Sequence, residues 1–246
     1  MRAYFGVGLV SEYLSQRGKA SYRVRSPKEL AVIVDHFNKY PLLTQKRADF
    51  ELFKSVLDLV NRKEHLTSEG LQKIVNLKAS INTGLSDTQK SAFANTIPVP
   101  RAVYPIPESI DPNWLAGFVD AEGCFLVLIR KSVTYKLKEG VCLRFQVTQH
   151  SRDAELMKSL VSYLGCGGYY AVPGYSHGNL LVTKFSDITG KIMPFFIKNP
   201  IQGIKSLDFA DFCKVVDLMK QGGHLTEDGL EEIRLIKAGM NRGRNS

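Results

Sequence analysis

The second half of the chain alternates apolar and polar residues in the way that antiparallel strands do. Between Val141 and His150, the residues Leu143, Phe145 and Val147 are apolar, while those between them are polar. A period of two places the apolar side chains on one face of a sheet and the polar ones on the other. We therefore predict a strand here that packs one face on helices.

Other patterns in this half predict further strands and helices. A short apolar helix is expected over Pro112 to Glu122, and apolar residues at helical spacing predict another over Asp153 to Leu164. Further strand-like runs are Cys124 to Ser132, Tyr169 to Val172 and Asn179 to Phe185, and further helices are predicted from Ser186, around Asp208 to Met219, and from Thr226 to Asn241. The resulting order, αββαββα with trailing helices, predicts an α+β fold with antiparallel sheets.

Two sequence patterns occur twice in the chain. D-F-x-x-F-x-x-V-x-D-L followed by H-L-T-x-x-G-L-x-x-I starts at Asp49 and, 159 residues later, at Asp208. The same offset pairs Lys46 with Lys205. Self-similarity at one fixed offset is typical of a duplicated unit. The chain is therefore predicted to contain two copies of one α+β repeat.

The first copy is predicted to lack its front part. In the second copy Trp114 lies 49 residues before Tyr163, but Tyr4, the counterpart of Tyr163, lies almost at the start of the chain. The first helix, the first hairpin and most of the next helix of copy one would therefore precede residue 1. We expect a truncated first repeat at 1–84 and a complete second repeat at 111–246.

A proline-rich segment separates the copies. Residues 85–110 contain Pro98, Pro100, Pro105 and Pro107. Such spacing favours an extended, semi-rigid linker. The alternative, a loop wrapped on a single domain, is less favoured because loops of this length are uncommon.

Composition narrows the class of protein. The 246 residues are 44% hydrophobic and 23% charged, an ordinary globular balance, and no apolar stretch is long enough for a membrane helix. The four cysteines are scattered without a C-x-x-C pair, so neither a zinc site nor a disulfide framework is indicated. Lysine and arginine number 33 against 24 acidic residues, and the net charge of +9 favours nucleic acid as a partner.

Residues 114–125 read Trp-Leu-Ala-Gly-Phe-Val-Asp-Ala-Glu-Gly-Cys-Phe. Within them, Leu115 to Gly123 resembles the LAGLIDADG motif of homing endonucleases, with conservative changes at Phe118, Val119 and Glu122. With the repeat and the element order, the resemblance extends over nearly the whole chain and points to the two-repeat, single-chain branch of that family. It implies the LAGLIDADG homing endonuclease fold, in which duplicated αββαββα repeats lay saddle-shaped antiparallel sheets in the major groove of DNA.

The motif also has a physical interpretation. Gly117 and Ala121 are four residues apart, so they share a helix face with little side chain, where a second helix could pack closely. Glu122 ends the helix, where the macrodipole disfavours a carboxylate unless a cation is near. The resemblance implies that Glu122 is the catalytic, metal-binding acid, that the Ala121 carbonyl is a further ligand, and that the metal is Mg²⁺. The alternative for Glu122 is a solvated carboxylate, and Asp120 is expected to be structural.

The polar face of the predicted sheets supplies candidate DNA contacts. Arginine and glutamine suit bidentate readout of guanine and adenine, and threonine can bond to either or touch a thymine methyl. The predicted set is Arg23, Arg25, Arg130, Ser132, Arg144, Gln146, Thr148, Tyr170, Thr183 and Lys184. The alternative for any one of them is a sheet face in water, and Lys184, which breaks the alternation, is predicted at a phosphate or the edge of the active site. The C-terminal Asn241 to Arg244 is expected to be a frayed basic tail.

The resemblance implies a site-specific double-strand DNA endonuclease for intron homing that hydrolyses phosphodiester bonds with a divalent metal. Because Glu122 is the only motif acid, we expect this chain to be an incomplete form that binds DNA weakly and cuts poorly. It would be a monomer if the first repeat is completed, and otherwise could self-associate through the motif helix. The alternative function is a non-catalytic, RNA-binding maturase that assists splicing of an intron. By resemblance alone the location is an organelle, the mitochondrion.

Overall fold

The chain divides into two compact units, Met1–Pro105 and Ile106–Ser246. A computed structural model describes residues 1–12, 20–134 and 136–244. The division falls inside the predicted linker. Over the described ranges, no helix has the length and apolar character needed to cross a membrane.

The described part of the first unit combines a two-stranded antiparallel sheet with helices. Its elements are α1 (Arg2–Phe5), β1 (Leu9–Glu12), β2 (Ala20–Arg23), α2 (Pro27–Lys39), α3 (Lys46–Asn61), α4 (Ser68–Ala79) and α5 (Asp87–Ala92). A 3₁₀ turn at Glu64–Leu66 joins α3 to α4. Helix α4 begins there because the Thr67 side chain accepts a hydrogen bond from the Gly70 N–H, at 3.0 Å.

The predicted linker is attached to the first unit. It begins with the short helix α5, and the extended part that follows packs back on its own unit. The Ser80 hydroxyl donates to the Val99 carbonyl at 2.6 Å, and the Arg47 guanidinium lies 4.3 Å from the centre of the Tyr104 ring. The extended stretch therefore follows the surface of the first unit as far as Tyr104.

The second unit contains a four-stranded antiparallel sheet. Its elements are α6 (Pro112–Glu122), β3 (Gly123–Lys131), β4 (Glu139–His150), α7 (Ala154–Leu164), β5 (Gly168–Ala171), β6 (His177–Val182), α8 (Phe185–Asp187), α9 (Met193–Lys198), α10 (Lys205–Lys220) and α11 (Glu227–Ala238). The strand order is β3-β4-β6-β5. This confirms the predicted αββαββα order and the α+β class.

One predicted strand is shifted along the chain. The pattern predicts a strand from Asn179 to Phe185, but β6 begins two residues earlier, at His177, and ends at Val182, and Phe185 begins α8. The helical stretch that follows buries Ile188 and Ile192 completely. A helix buries these two residues, four apart, on one side, whereas apolar runs alone do not distinguish strand from helix.

A cluster of phenylalanines ties β3 to the helices behind the sheet. The centre of the Phe125 ring lies 5.4 Å from those of Phe145 and Phe212 and 5.5 Å from that of Phe196. All four side chains are fully or almost fully buried. Burying such a side chain contributes about 1.5–3 kcal/mol. The cluster therefore fixes the strand that directly follows α6.

The two units repeat each other at the offset of 159. Strands β1 and β5, helices α3 and α10, and helices α4 and α11 coincide at both ends at this offset. The hairpins differ in register by one residue, because Leu9 pairs with Arg23 whereas Gly168 pairs with Leu181. The duplication seen in the sequence is thus a structural duplication.

Candidate active site and nucleic-acid interface

Local sequence explains both ends of α6. Pro112 occupies the first turn, and the Asp111 carboxylate accepts hydrogen bonds from the N–H groups of Asn113 (2.7 Å) and Trp114 (3.2 Å). At the other end, a Cβ added to Gly123 would lie 2.5 Å from the Val119 side chain. Glycine is needed here so that the chain can pass from helix to strand against its own last turn.

The two faces of α6 differ. Leu115, Ala116 and Val119 are buried, whereas Gly117 and Ala121 are exposed, and a Cβ added to Gly117 would have no atom within 4 Å. The predicted small-residue face therefore exists. Its pairing with a second helix stays a prediction.

The Glu122 carboxylate is exposed at the end of α6. Residues on both sides of it make hydrogen bonds to other parts of the second unit. The Asp120 carboxylate accepts a hydrogen bond from the Gly203 N–H at 2.8 Å, which confirms the structural role predicted for Asp120. The Lys205 ammonium donates to the Gly123 carbonyl. These contacts place a cationic side chain next to the residue that follows Glu122.

The donors at the end of α6 fit a hard divalent cation. The Glu122 carboxylate is an oxygen donor, and the Ala121 carbonyl lies in the last turn, with no N–H of the helix ahead of it. Over the part of the chain that the structure describes, no three histidine, cysteine or acidic side chains gather into a metal cluster. Two such donors would fill only part of a coordination shell, and water or phosphate oxygens would have to complete it.

Predicted DNA contacts of the second unit share the open face of its sheet. Strand pairing places Arg144 beside Leu126, Gln146 beside Cys124, and Thr148 beside Asn179, and residues directly opposite in a ladder point to the same side. The same parity adds two more predicted residues to this face, so the set is Arg130, Arg144, Gln146, Thr148 and Tyr170. The opposite face carries the buried core.

Gln146, Thr148 and Asn179 are linked on this face. The Gln146 amide donates to the Thr148 hydroxyl (3.0 Å) and to Asn179 Oδ1 (3.1 Å), and the Thr148 hydroxyl donates to the same oxygen at 2.6 Å. Asn179 is not among the contacts predicted from the sequence. The alternation of Asn179 with the buried Leu180 was the available signal. Leu126 and Leu128 were also missed, because β3 is apolar on both faces.

The remaining predicted contacts of this unit lie at strand ends. Ser132 follows β3, and its hydroxyl lies 2.9 Å from that of Thr134. Thr183 and Lys184 are exposed in the connection between β6 and α8. Since β6 has ended, Lys184 does not belong to either face of the sheet.

Arg23 and Arg25 lie on one side of the first unit. Both are exposed, whereas Tyr22 of β2 is half-buried and donates its hydroxyl to the Val7 carbonyl at 2.7 Å. The two arginines line a concavity together with Ser11. Exposed arginines thus alternate here with the half-buried Tyr22 and Val24.

The C-terminal segment differs from its prediction. Asn241–Gly243 forms a 3₁₀ turn, and the Arg244 guanidinium bonds to Asp208 at 2.9 Å and to Asp211 at 2.6 Å. The expectation of a frayed tail is wrong because the buried Asp208 pairs with this arginine. Sequence position alone did not reveal that partner.

The LAGLIDADG endonuclease family model matches residues 1–57 and 115–216. These ranges fall in both units and amount to more than half of the chain. The chain belongs to the LAGLIDADG endonuclease family. Membership confirms the resemblance stated from the motif and the repeat.

Curated LAGLIDADG relatives of this chain are longer proteins. It is 45% identical over 238 residues, 96% of its length, to "Probable intron-encoded endonuclease 3" of Neurospora crassa. It is 35% identical over 95% of its length to "Probable intron-encoded endonuclease 2" of the same organism. Since it covers 44% and 53% of these proteins, the chain spans about half the length of the curated relatives it matches.

Solved structures of the homing endonuclease I-SmaMI are similar to this chain. A structure bound to cleaved DNA superposes with a TM-score of 0.96 at 46% identity, covering 99% of this chain and 81% of the other. Another I-SmaMI structure is bound to an uncleaved DNA target in the presence of calcium ions. Further I-SmaMI structures carry alanine at one or both of two lysines. The number of residues between these lysines along the chain is the same as the number between Lys46 and Lys205 here.

Proposed function

We propose that this protein is a site-specific double-strand DNA endonuclease of intron homing that hydrolyses phosphodiester bonds with a divalent metal. One observation carries the proposal. The motif helix ends in an exposed carboxylate, Glu122, and leads directly into a sheet whose open face bears arginine, glutamine, threonine and tyrosine. The DNA-bound structures of the related I-SmaMI support the same assignment.

Glu122 and the Ala121 carbonyl would hold the cation. Mg²⁺ suits this pair because it is a hard ion that prefers oxygen ligands and keeps several waters. The calcium in an I-SmaMI structure supports a divalent site in this family. When bound, the metal supplies activation of the attacking water and stabilises charge on the phosphate and the leaving oxygen.

Lys205 would serve the same site as a fixed positive charge. Its ammonium is held by the Gly123 carbonyl, one residue beyond Glu122. An ammonium has three donor positions, so bonds to a phosphate oxygen remain available. A preorganised cation near the scissile phosphate stabilises the charge that develops in the transition state. The lysine variants of I-SmaMI with matching separation support this role.

The open face of the sheet would read the DNA sequence. Arg130 and Arg144 suit guanine edges, and Gln146 suits adenine. Because Gln146, Thr148 and Asn179 bond to one another, they would read neighbouring bases as one unit. Tyr170 extends this face, while Arg23 and Arg25 would contribute from the first unit. Ser132, Thr183 and Lys184 lie at strand ends, where contacts to phosphates would set the register.

The biological setting follows from the relatives. Their names describe intron-encoded endonucleases, which supports intron homing for this protein. A further relative is named as a protein in ND4 intron 1 of Podospora anserina, which supports a location in an organelle, the mitochondrion. The alternative of a splicing maturase gains no support from these names.

Replacing Glu122 with glutamine tests the function. The protein would be incubated with a library of DNA duplexes that carry a randomised core, in an excess of Mg²⁺, the hard cation that oxygen ligands favour. E122Q should lower the rate of DNA cleavage by about a hundredfold or more, because the amide cannot replace the charged ligand. The affinity for DNA should be retained. The matched control is Glu232→Gln, the same change at an exposed helical glutamate of α11. Equal cleavage by E122Q and the unchanged protein would contradict the proposal, and so would specific binding to intron RNA without DNA cleavage.

A further inference from the structure

Asn241 joins the end of the described chain to the start of β3. Its backbone is left-handed, with φ of 54°, and its N–H donates to Asp208 Oδ1 at 2.9 Å. Its side-chain amide donates to the Phe125 carbonyl at 3.0 Å, and the Cys124 thiol donates to its side-chain oxygen at 3.1 Å. A single residue that follows α11, Asn241, therefore connects α10 to the second and third residues of β3.

Arg244 completes the contact on the other side of Asp208. Its Nε and Nη2 atoms lie 3.1 and 2.9 Å from Asp208 Oδ1, and Nη2 lies 2.6 Å from Asp211 Oδ2. Asp208 is 7% exposed, and a carboxylate so buried is costly unless a cation is close. Burial also raises the pKa of Asp211, but hydrogen bonds from Lys214 and Arg244 outweigh it and lower that pKa below its usual value.

Lys205 also binds strand β3, and it lies on α10, the same helix as Asp208. It lies three residues before Asp208 on α10, so the two side chains share a helix face. The Lys205 bond reaches the Gly123 carbonyl, and the Asn241 bond reaches the Phe125 carbonyl. Strand β3 is thus held at two points, the first of them directly after Glu122.

The first unit repeats part of this arrangement. The Asn82 backbone, with φ of 52°, donates to Asp49 Oδ1 at 3.1 Å, and Arg101 of the linker bonds to the same carboxylate. Here, however, Lys46 donates to the Asn82 side-chain oxygen at 2.5 Å. In the second unit, the corresponding lysine and asparagine both turn to β3. Their bonds to β3 are therefore additional to the contact between aspartate, asparagine and arginine that both units share.

We propose that Asp208, Asn241 and Arg244 form a clamp that positions the start of β3, and with it Glu122, relative to Lys205. The inference rests on the proposed endonuclease function, since it assigns these three as positioning residues for that site. None of them needs to touch DNA or metal.

Asn241→Gly tests the clamp. Glycine adopts the left-handed backbone and keeps the N–H bond to Asp208, but it loses both side-chain bonds to β3. Because small misplacements of catalytic groups are costly, the single-turnover cleavage rate at saturating DNA should fall about tenfold while the dissociation constant for DNA stays within about twofold. Arg244→Met should lower the rate similarly, and Arg244→Lys should restore part of it. All rates are compared at a temperature where each variant is folded.

Amide hydrogen exchange gives a second readout that needs no cleavage. In the metal-free protein, the peptide covering Glu122 to Leu126 should exchange faster in Asn241→Gly than in the unchanged protein. The matched change Asn82→Gly in the first unit should leave the exchange of this peptide unaltered, because Asn82 bonds to Asp49 and Lys46.

The clamp requires that Asn241→Gly both lowers the cleavage rate and speeds amide exchange at the start of β3. An unchanged cleavage rate, or unchanged exchange at the start of β3, would overturn it, even if the variant melted at a lower temperature. A loss of DNA affinity as large as the loss of rate would also overturn it. If the unchanged protein cleaved no DNA with Mg²⁺ or Mn²⁺, the proposed function would fall, while the exchange comparison would still decide whether the clamp holds β3.

Discussion

Phe212 and Phe53 occupy the same position in the two repeats, on α10 and α3, yet they have different surroundings. Phe212 is fully buried, whereas Phe53 is 37% exposed. In the second unit the Phe125 ring of β3 packs on Phe212. In the first unit, none of the aromatic contacts of the described residues involves Phe53. Phe212 is thus buried where β3 lies over it, and the described residues of the first unit contain no strand that corresponds to β3.

The polar residues of the two units show the same dependence. Lys46 bonds to Asn82 within the first unit, while Lys205 and Asn241 bond to the backbone of β3. A repeated sequence therefore preserves helix and turn geometry, but its polar side chains find different partners.

The largest expected effect is a loss of unfolding free energy on truncating Phe212, which should exceed the loss on truncating Phe53. Phe212→Ala should cost about 3–5 kcal/mol of unfolding free energy, because it leaves a cavity in a closed core, while Phe53→Ala should cost about 1 kcal/mol. Urea unfolding followed by Trp114 fluorescence reports on the second unit, since Trp114 is the only tryptophan. Circular dichroism reports on the helices of both units, so a transition that Trp114 fluorescence does not follow reports on the first unit. Equal losses would show that the first unit is packed as tightly as the second.

A smaller effect is expected at the buried carboxylate of the first unit. Burial raises the pKa of Asp49, but hydrogen bonds from Arg101 and Asn82 outweigh it, so the pKa lies below the usual 3.8. A carboxyl whose pKa is lowered on folding stabilises the fold above its unfolded pKa, and this contribution is lost as the pH falls through the folded pKa. Arg101→Met should cost about 2 kcal/mol at pH 7.

The pH dependence sharpens this test. Without Arg101, burial of Asp49 is no longer compensated, so the stability of the variant should fall less between pH 7 and pH 3 than that of the unchanged chain. Urea unfolding followed by circular dichroism at both pH values measures the difference. A parallel decline in both proteins would mean that Arg101 does not set the pKa of Asp49.

The smallest effect is expected at Gly117, on the exposed face of α6. Gly117→Ala should stabilise the second unit by up to about 1 kcal/mol, because alanine favours helix and the added methyl meets nothing. In contrast, Gly123→Ala should destabilise it by about 1–3 kcal/mol, because its methyl would collide with Val119. Trp114 fluorescence in urea measures both. If a partner helix packs on Gly117 in the natural gene product, Gly117→Ala should lower cleavage there while it stabilises the unit.

Much of this fold could be predicted from local patterns. Both ends of α6 follow from Asp111-Pro112 and Gly123, which act within a few residues of the helix. The face of β4 that carries Arg144 and Gln146 follows from alternation, and the duplication follows from the repeated D-F and H-L-T patterns. These features depend on neighbours in sequence, so the sequence shows them directly.

Other features depend on distant neighbours. The end of β6 at Val182 and the apolar side chains of β3 on the open face could not be assigned, because an apolar run has no period to distinguish strand from helix or one face from the other. Asn179 joined the polar network only once β6 was paired with β4.

The sequence by itself identified the family, through the resemblance of its motif and repeat. It also determined the order of the elements and the position of Glu122 at the end of a helix, since short-range sterics, helix capping and side-chain periodicity decide these two. Only the tertiary structure decided that Arg244 neutralises Asp208, that Asn241 and Lys205 hold the strand after Glu122, and that Phe212 is core while Phe53 is not. Those outcomes depend on which groups are brought together from far apart in the chain, and burial then makes each unpaired charge or cavity costly.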